Sequence, residues 1–309
     1  MRKILCMLLC VLLLGGCADL PERSDGYYRF TDDTGTQIFL SARPKKVAVL
    51  LSSLADLWIT AGGTVDITVG ETVERNLVPE HTPLVDAGAG KTVDTERLIA
   101  LQPDLVIYSA DLSGQLECAD TLEKVGIPAA GFHVETFDDY LRVLKTATEI
   151  LETPQQYEIY GTQVQAQIER LLAIARDQTE QPEILFVRAG STAKVTKAKT
   201  ADTHFVCAML KDLGAVNIAE RATVLLEGLS TEEILVADPA CIFYTTMGDE
   251  AAAVAYMEGL IHDPIWQNMT AVKTDAVYCL PKSLFQYKPN ARWAEAYTYL
   301  ITLLYGEIL

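Results

Sequence analysis

The sequence predicts an α/β protein of two lobes, each with a mostly parallel sheet flanked by helices, joined by one long rigid helix. Three observations carry this. First, one phrase is written twice: "DTERLIALQPDLVIY" from Asp94 and "STEEILVADPACIFY" from Ser230. The copies align without a gap at an offset of 136 residues, pairing Thr95 with Thr231, Glu96 with Glu232, Pro103 with Pro239 and Tyr108 with Tyr244. Second, strand-like apolar runs alternate with helix-like runs around both copies, the order that builds α/β layers. Third, the stretch between them reads as one helix. The 309 residues are enough for two domains of ordinary size.

The elements follow in chain order. Arg2 and Lys3 precede "ILCMLLCVLLLGG", a basic head and an apolar run typical of an export signal and too short to span a bilayer comfortably. "Leu14-Gly15-Gly16-Cys17" resembles the bacterial lipobox, which implies cleavage before Cys17 and lipid on its sulfur. Residues 1–16 are therefore expected to be a signal peptide, and 17–40 a tether with an N-terminal hairpin. The N-terminal lobe is expected over 41–152. It reads as strand "KKVAVLL", helix "SLADLWITAGG", strand "DITVG", the first repeated helix with strand "DLVIYSA", helix "ADTLEKVG" and strand "IPAAGFHV". These strands lack alternation, as in a parallel sheet covered on both faces.

Thr153 as N-cap and Pro154 at the first helical position open a linker, 153–180. A helix from about 154 to 178 would be roughly 36 Å long at 1.5 Å per residue. Such a stiff joint predicts modest lobe closure. The C-terminal lobe, 181–309, reads as strand "EILFVRAG", helix "FVCAMLKDLG", the second repeated helix with strand "ACIFYTT", strand "AVYCLP", and a last helix striped by Trp293, Tyr297, Leu300 and Leu304. Asp94 and Ser230 are suited to cap the repeated helices, and Ser230 with Glu233 fits a capping box.

Composition narrows the function. Residues 1–16 hold two of the 25 basic residues and none of the 42 acidic ones, so the remainder carries −19. So acidic a body is a poor partner for nucleic acid, whose phosphates need clustered Lys and Arg. It also stands off an anionic membrane surface. The expected location is extracytoplasmic, lipid-anchored to the cell membrane, with two or more acyl chains making the anchor stable. Of the seven cysteines, Cys118, Cys207, Cys241 and Cys279 follow no zinc spacing and are expected to be buried free thiols. "GAGKT", residues 88–92, is not a phosphate loop, because Val85 stands where the pattern needs Gly. No Gly-x-Ser-x-Gly elbow is present.

Several segments together resemble one family. "YRFTDDTGTQIFLSARPKKVAVL", "TERLIALQPDLVIY", "MLKDLGAVNIAE" and "DPIWQNMTAVKTDAVYCLP" are similar, in order and spacing, to the substrate-binding lipoproteins of bacterial ABC importers for ferric siderophores, haem and cobalamin. The resemblance covers nearly all of the chain after Cys17. It implies a binding protein, not an enzyme, with no covalent cofactor and a metal chelate as transported ligand. It also implies that Glu96 and Glu232, one per lobe, dock on Arg residues of the permease dimer. Both lie in a helix's first turn, where the macrodipole favours an anion. A cobalamin-binding or a direct Zn/Mn-binding component is the alternative within this class, though His81, His133, His204 and His262 show no ligand spacing. An exported cleft enzyme such as a chelatase is the alternative of another class.

Ligands of open α/β sheets bind beyond the carboxyl ends of the strands. That rule nominates Ser52, Ser53, Tyr108 to Leu112 and His133 in the N-terminal lobe. In the other lobe it nominates Arg188 to Thr192, Thr245 to Gly248 and the run after Leu280. Family members often have Ser-Pro after the first strand; this chain has Leu51-Ser52. Two acid-free islands stand out: residues 186–201 with four cations and 281–293 with three. Arg188, Lys288 and Arg292 are expected to form an electropositive cleft wall, with Tyr287 and Phe285 beside it for a flat ligand. Asn290 is expected to cap the last helix, placing Arg292 in a first turn whose dipole is eased by an arriving anion. An anionic cargo, a ferric siderophore or haem, follows from that wall. Trp58 shares a helical face with Leu54 and Ala61 and is expected in the core.

The lipobox yields a direct test. Cys17→Ser should release the protein from membranes, and mass spectrometry of the mature N-terminus should find a lipid-modified Cys17 in the parent; an unmodified Cys17 rules the anchor out.

Overall fold

The computed structural model describes residues 28–86 and 92–306. Cys17 and residues 87–91 of the glycine-rich run lie outside them. β1 (Tyr28–Thr31) and β2 (Gln37–Leu40) form the expected hairpin. Asp32 closes its turn and ties it to the sheet. Its carboxylate accepts from the N–H groups of Thr34, Thr36 and Gly131.

Three parallel strands follow, ordered β3 (Val47–Val49), β4 (Leu105–Ser109), β5 (Ala129–Phe132). They are flanked by α1 (Ser52–Thr60), α2 (Gly70–Glu74), α3 (Thr95–Ala100), α4 (Ser113–Lys124) and α5 (Phe137–Leu151). β3 and β4 are buried throughout, which is why their sequences are unbroken apolar runs. The expected strand "DITVG" is reduced to two isolated bridges, Ala48 to Ile67 and Thr68 to Leu84, because Gly70 already opens α2. Gln115 is fully buried and ties the carboxyl end of the sheet together. Its Nε2 donates to the Leu50 carbonyl and its Oε1 accepts from Ser109 N–H, both at 2.7 Å.

The connecting segment is helical but not one uniform α-helix. α6 (Pro154–Tyr157) runs into a π turn (Glu158–Thr162) and then α7 (Gln163–Arg176). Tyr140 of α5 donates its hydroxyl to the Tyr160 carbonyl at 3.0 Å, so a side chain enters the ladder where it widens. Thr153 does sit at the N-cap, yet its hydroxyl donates to the Ala61 carbonyl at 2.6 Å and leaves the cap unmade.

The second lobe is a five-stranded sheet. β10 (Val277–Cys279), β9 (Cys241–Thr246) and β6 (Glu183–Ala189) run parallel. β7 (Lys197–Ala198) adds antiparallel to the end of β6, and β8 (Val216–Asn217) parallel to its start. α8 (Phe205–Asp212), α9 (Thr231–Ala237), α10 (Glu250–Ile261), α11 (Thr270–Lys273), α12 (Lys282–Phe285) and α13 (Trp293–Tyr305) surround it. One hydrophobic cluster runs from Val49, Leu54 and Trp58 through Tyr140 and Ile168 to Phe205, Trp293 and Tyr297. Both lobes and the linker share it.

The repeated phrase is repeated in three dimensions. Asp94 and Ser230 accept from the backbone N–H groups of Arg97 and Glu233 at 3.0 and 3.4 Å. Leu98 and Ile234 are both fully buried. Gln102 and Asp238 both turn left-handed, at φ 48° and 44°. Each stands immediately before proline, where a right-handed helix is disfavoured.

His204 caps α8 in an unusual way. Its Nδ1 accepts from Val206 N–H at 3.3 Å, and its ring lies against Phe186 and Phe205. Burial first, and then the cations Lys288, Arg188 and Lys199, push its pKa down to about 3. The unfolded chain takes up this proton near pH 6.5, and the fold refuses it until about pH 3. His204 therefore contributes stability that is complete above pH 6.5 and lost as pH falls through that window, by up to about 1.4 kcal/mol per unit. The parent's resistance to urea should fall between pH 6.5 and 5, and His204→Asn, a non-titrating cap, should flatten that slope.

Candidate functional site

A cavity of about 110 Å³ lies between the lobes at the carboxyl ends of the N-terminal strands. Leu51, Ser53, Ser109, Asp111, Val134 and Glu135 line one side, and Gln286, Lys288 and Asn290 of the C-terminal lobe the other. The segment from Gln286 to Asn290 is stitched across it. Lys288 Nζ meets Glu135 Oε2 at 2.6 Å. Asn290 Nδ2 donates to the Ser53 carbonyl at 2.8 Å and to Asp56 Oδ2 at 3.0 Å. The Arg75 guanidinium lies over the Tyr287 ring at 4.2 Å. Arg75 in turn donates to Ser52 Oγ at 3.0 Å and meets Asp56 at 3.4 Å.

The expected site residues divide into those at the cleft and those behind it. Ser53, Tyr287 and Lys288 stand at the cleft. Ser52 is fully buried, its hydroxyl donating to Glu71, so it supports the wall without lining it. Tyr108 faces the other way, into a groove of about 450 Å³ on the outside of the N-terminal lobe, shared with Thr34 and Pro128. Side chains alternate along a strand, so Ser109 takes the cleft position and Tyr108 the outer one. Its hydroxyl pKa is raised, first by burial and then by Asp32. Phe285 is fully buried beside the Tyr299 ring, because α12 turns Leu284 and Phe285 inward. Neither Tyr108 nor Phe285 meets the cleft in this arrangement.

The expected cationic wall is partly neutralised from outside its own loops. Arg292 is exposed and bidentate to Glu295, with both bonds at 2.7 Å. Glu295 raises the Arg292 pKa and has its own lowered in return. An acid one turn along the helix thus answers the charge assigned to an arriving anion. Asn290 does not cap α13, since its side chain spans the cleft and Arg292 occupies the N-cap position. Lys288 is held by Glu135, and its pKa is lowered because burial outweighs that partner. Lys197 approaches Glu227 at 3.8 Å.

Arg188 differs. It stands at the end of β6, half-buried, and its Nε is buried with no hydrogen-bond partner among the described residues. Thr245, its register partner on β9, has an equally unpartnered Oγ1. Gln286 Oε1 and Trp293 Nε1 share that condition. Arg188 and Thr245 stand at the ends of β6 and β9, Gln286 at the end of α12 and Trp293 at the start of α13. Buried polar groups without partners are rare in folded proteins.

Sequence reasoning missed Glu135, Asp56 and Arg75. Glu135 lies three residues past β5, and a strand-end rule extended by one turn would have reached it. Asp56 and Arg75 carry no signal, since their role arises only when the lobes meet. His133 Nδ1 and Asp111 Oδ1 pair at 2.6 Å near the same rim. Among the described residues no group of three or more His, Cys, Asp or Glu is placed to hold a metal ion.

Glu96 and Glu232 are both exposed in the first turns of α3 and α9. Cys118, Cys207 and Cys241 are buried free thiols as expected, whereas Cys279 is exposed.

Residues 47–284 match the family described as periplasmic binding protein. The chain is 23% identical over 287 residues to an uncharacterised ABC transporter substrate-binding lipoprotein, YvrC, of Bacillus subtilis strain 168, across 88% of this chain and 87% of that one. It is 23% identical over 231 residues to a vitamin B12-binding protein of Pectobacterium carotovorum, across 75% and 79%. In structure it is similar to the periplasmic haem-binding protein RhuT of Roseiflexus sp. RS-1, with TM-score 0.69 and 20% identity over 84% of this chain and 98% of that one. The last likeness is one of fold. Two α/β sheets, a helical connection and a cavity between them accompany a match that spans most of the sequence: the chain belongs to the periplasmic binding protein family.

Proposed function

We propose that this protein is the extracytoplasmic substrate-binding lipoprotein of an ABC importer. It captures an iron complex, a ferric siderophore or haem, between its lobes and delivers it to the permease. The lobes are taken as 41–152 and 181–309, with 153–180 as the linker. The chelate is cargo, and the chain's chemistry is binding and release without turnover.

One observation carries the proposal. Four buried polar atoms of the second lobe have no partner among the described residues: Arg188 Nε and Thr245 Oγ1, on register-paired residues at the ends of β6 and β9, and Gln286 Oε1 and Trp293 Nε1. A ligand with several oxygen atoms satisfies three donors of this kind, and the Arg188 guanidinium gives an anionic oxygen the stronger, charge-assisted contact. Arg188, Lys288 and Tyr287 are the residues assigned to cargo, with Ser53 opposite. Arg292 takes a secondary place because Glu295 already holds it. Cobalamin is the second reading, favoured by relatives that are named vitamin B12-binding proteins. The visible spectrum of protein purified from its native host separates the three chromophores.

Arg188→Ala should weaken an anionic native cargo by about 1.5–3 kcal/mol, or one to two decades in affinity, with little change for a neutral analogue. Titrations in which Arg188→Ala binds as tightly as the parent would remove the anionic-cargo assignment.

Glu96 and Glu232 are assigned to permease docking. Their exposure, their matched helix starts and their separation from the cavity lining support this. Changing either to Ala should leave cargo affinity intact and depress uptake. Lost cargo affinity in either variant would refute the assignment.

A further inference from the structure

Lys288 is the cation that reaches furthest into the cleft cavity, and it is already engaged. Its side chain is 20% exposed, and that of Glu135 is 32% exposed. Both line the cavity, and their atoms meet at 2.6 Å from opposite lobes. Lys288 Nζ also lies over the Phe205 ring at 4.5 Å. Glu135 is fixed in turn by its backbone, whose N–H donates to Asp139 Oδ2 at 3.1 Å at the start of α5. The neighbouring cations are disposed differently. Arg292 is bound by Glu295, and Arg75 lies between Asp56 and Tyr287. Arg188 has no carboxylate partner among the described residues. An anion entering the cleft cavity therefore meets Lys288 already occupied by Glu135.

We infer that Glu135 is a specificity-determining residue: it holds Lys288 with an internal carboxylate, so only a cargo anionic enough to displace that carboxylate recruits Lys288. The inference rests on the cargo reading proposed above. Its physical content is an exchange of partners. A strongly anionic chelate competes with Glu135 for a half-buried ammonium and gains a charge-assisted contact. An uncharged chelate gains nothing by the exchange and leaves the pair in place. Glu135 thus sets a threshold of charge. It acts through Lys288 and does not itself touch the cargo.

The test compares two ferric complexes of similar size. A ferric tris-catecholate carries three negative charges and a ferric tris-hydroxamate carries none; haem and cyanocobalamin form a second contrast. Glu135→Gln keeps the shape and removes the competing charge. It should tighten binding of the tris-catecholate, and of haem, by about tenfold, while the tris-hydroxamate and cyanocobalamin change by less than about twofold. Lys288→Gln should abolish the contrast in the Glu135→Gln background. If Glu135 only ties the lobes together, Glu135→Gln will shift charged and uncharged cargo alike, and that result overturns the inference. Unchanged affinity for every probe overturns it as well. Glu135→Asp, which keeps the charge and lengthens the pair, should give a smaller gain in the same direction and covers the case of a poorly folding Gln variant. If the parent binds none of the four probes, the cargo reading falls and this inference with it; if the parent binds and only the contrast is missing, the cargo reading stands alone.

Discussion

The two lobes share one apolar seam, and the cleft depends on it. Phe137, at the start of α5, meets the edge of Trp293 with ring centres 5.9 Å apart. Phe205, at the start of α8 in the same lobe as Trp293, meets that ring at 5.8 Å. Trp293 is 1% exposed. Truncating such a ring typically costs about 3–5 kcal/mol, far more than any single surface ion pair contributes. The polar stitching at the rim, from Lys288 to Glu135 and from Asn290 to Ser53, is laid over this seam and is the weaker layer. A cargo that enters between the lobes therefore trades with the rim contacts and leaves the seam in place.

Charge near the cleft is set by acids outside the basic loops, from the other lobe for Lys288 and from the same lobe for Lys197 and Arg292. Each acid-free loop of the C-terminal lobe looks basic in isolation. Assembled, Lys288 finds Glu135, Lys197 finds Glu227 and Arg292 finds Glu295. In a chain carrying 42 acids and 25 bases, such matching is the ordinary outcome. Arg188 is the informative exception, because its Nε and the Oγ1 of its register partner Thr245 are both unmatched among the described residues. Buried groups of this kind are costly to leave unpaired, by roughly 1–3 kcal/mol each.

The fold was legible because its signals are local. The repeated phrase, the caps at Asp94 and Ser230, the prolines at 103 and 239 and the unbroken strands all act within a few residues of themselves. The stripe of Trp293, Tyr297 and Leu300 was legible for the same reason, and all three are buried. The site was legible only in outline. The strand-end rule nominated the run from Tyr108 to Leu112, within which Tyr108 faces the outer groove while Ser109 and Asp111 line the cavity between the lobes. It chose Phe285, which belongs to the core of its own lobe. It gave Asn290 a local cap when the side chain reaches a partner 237 residues away. Contacts between distant segments have no local signature, so Asp56 and Arg75 were invisible until the lobes were in place, and Glu135 lay just beyond the reach of the strand-end rule. The π turn in the linker had no signature either, since its cause is the Tyr140 hydroxyl from another helix.

That π turn makes the length of the joint a matter of arithmetic. Such a turn is an α-helix carrying one residue too many, between Glu158 and Thr162. Deleting a residue there would restore a regular α-helix and leave α7 in phase, because the wide turn already absorbs the extra residue. Within α7 each residue advances the chain by about 100°, so a single deletion there would swing everything downstream by that angle about the helix axis. Outside the π turn the connection therefore tolerates change only in whole turns, of about three or four residues at a time. Loops on either lobe are free to grow or shrink over evolutionary time, while this short stretch of backbone behaves like a key cut to a single phase.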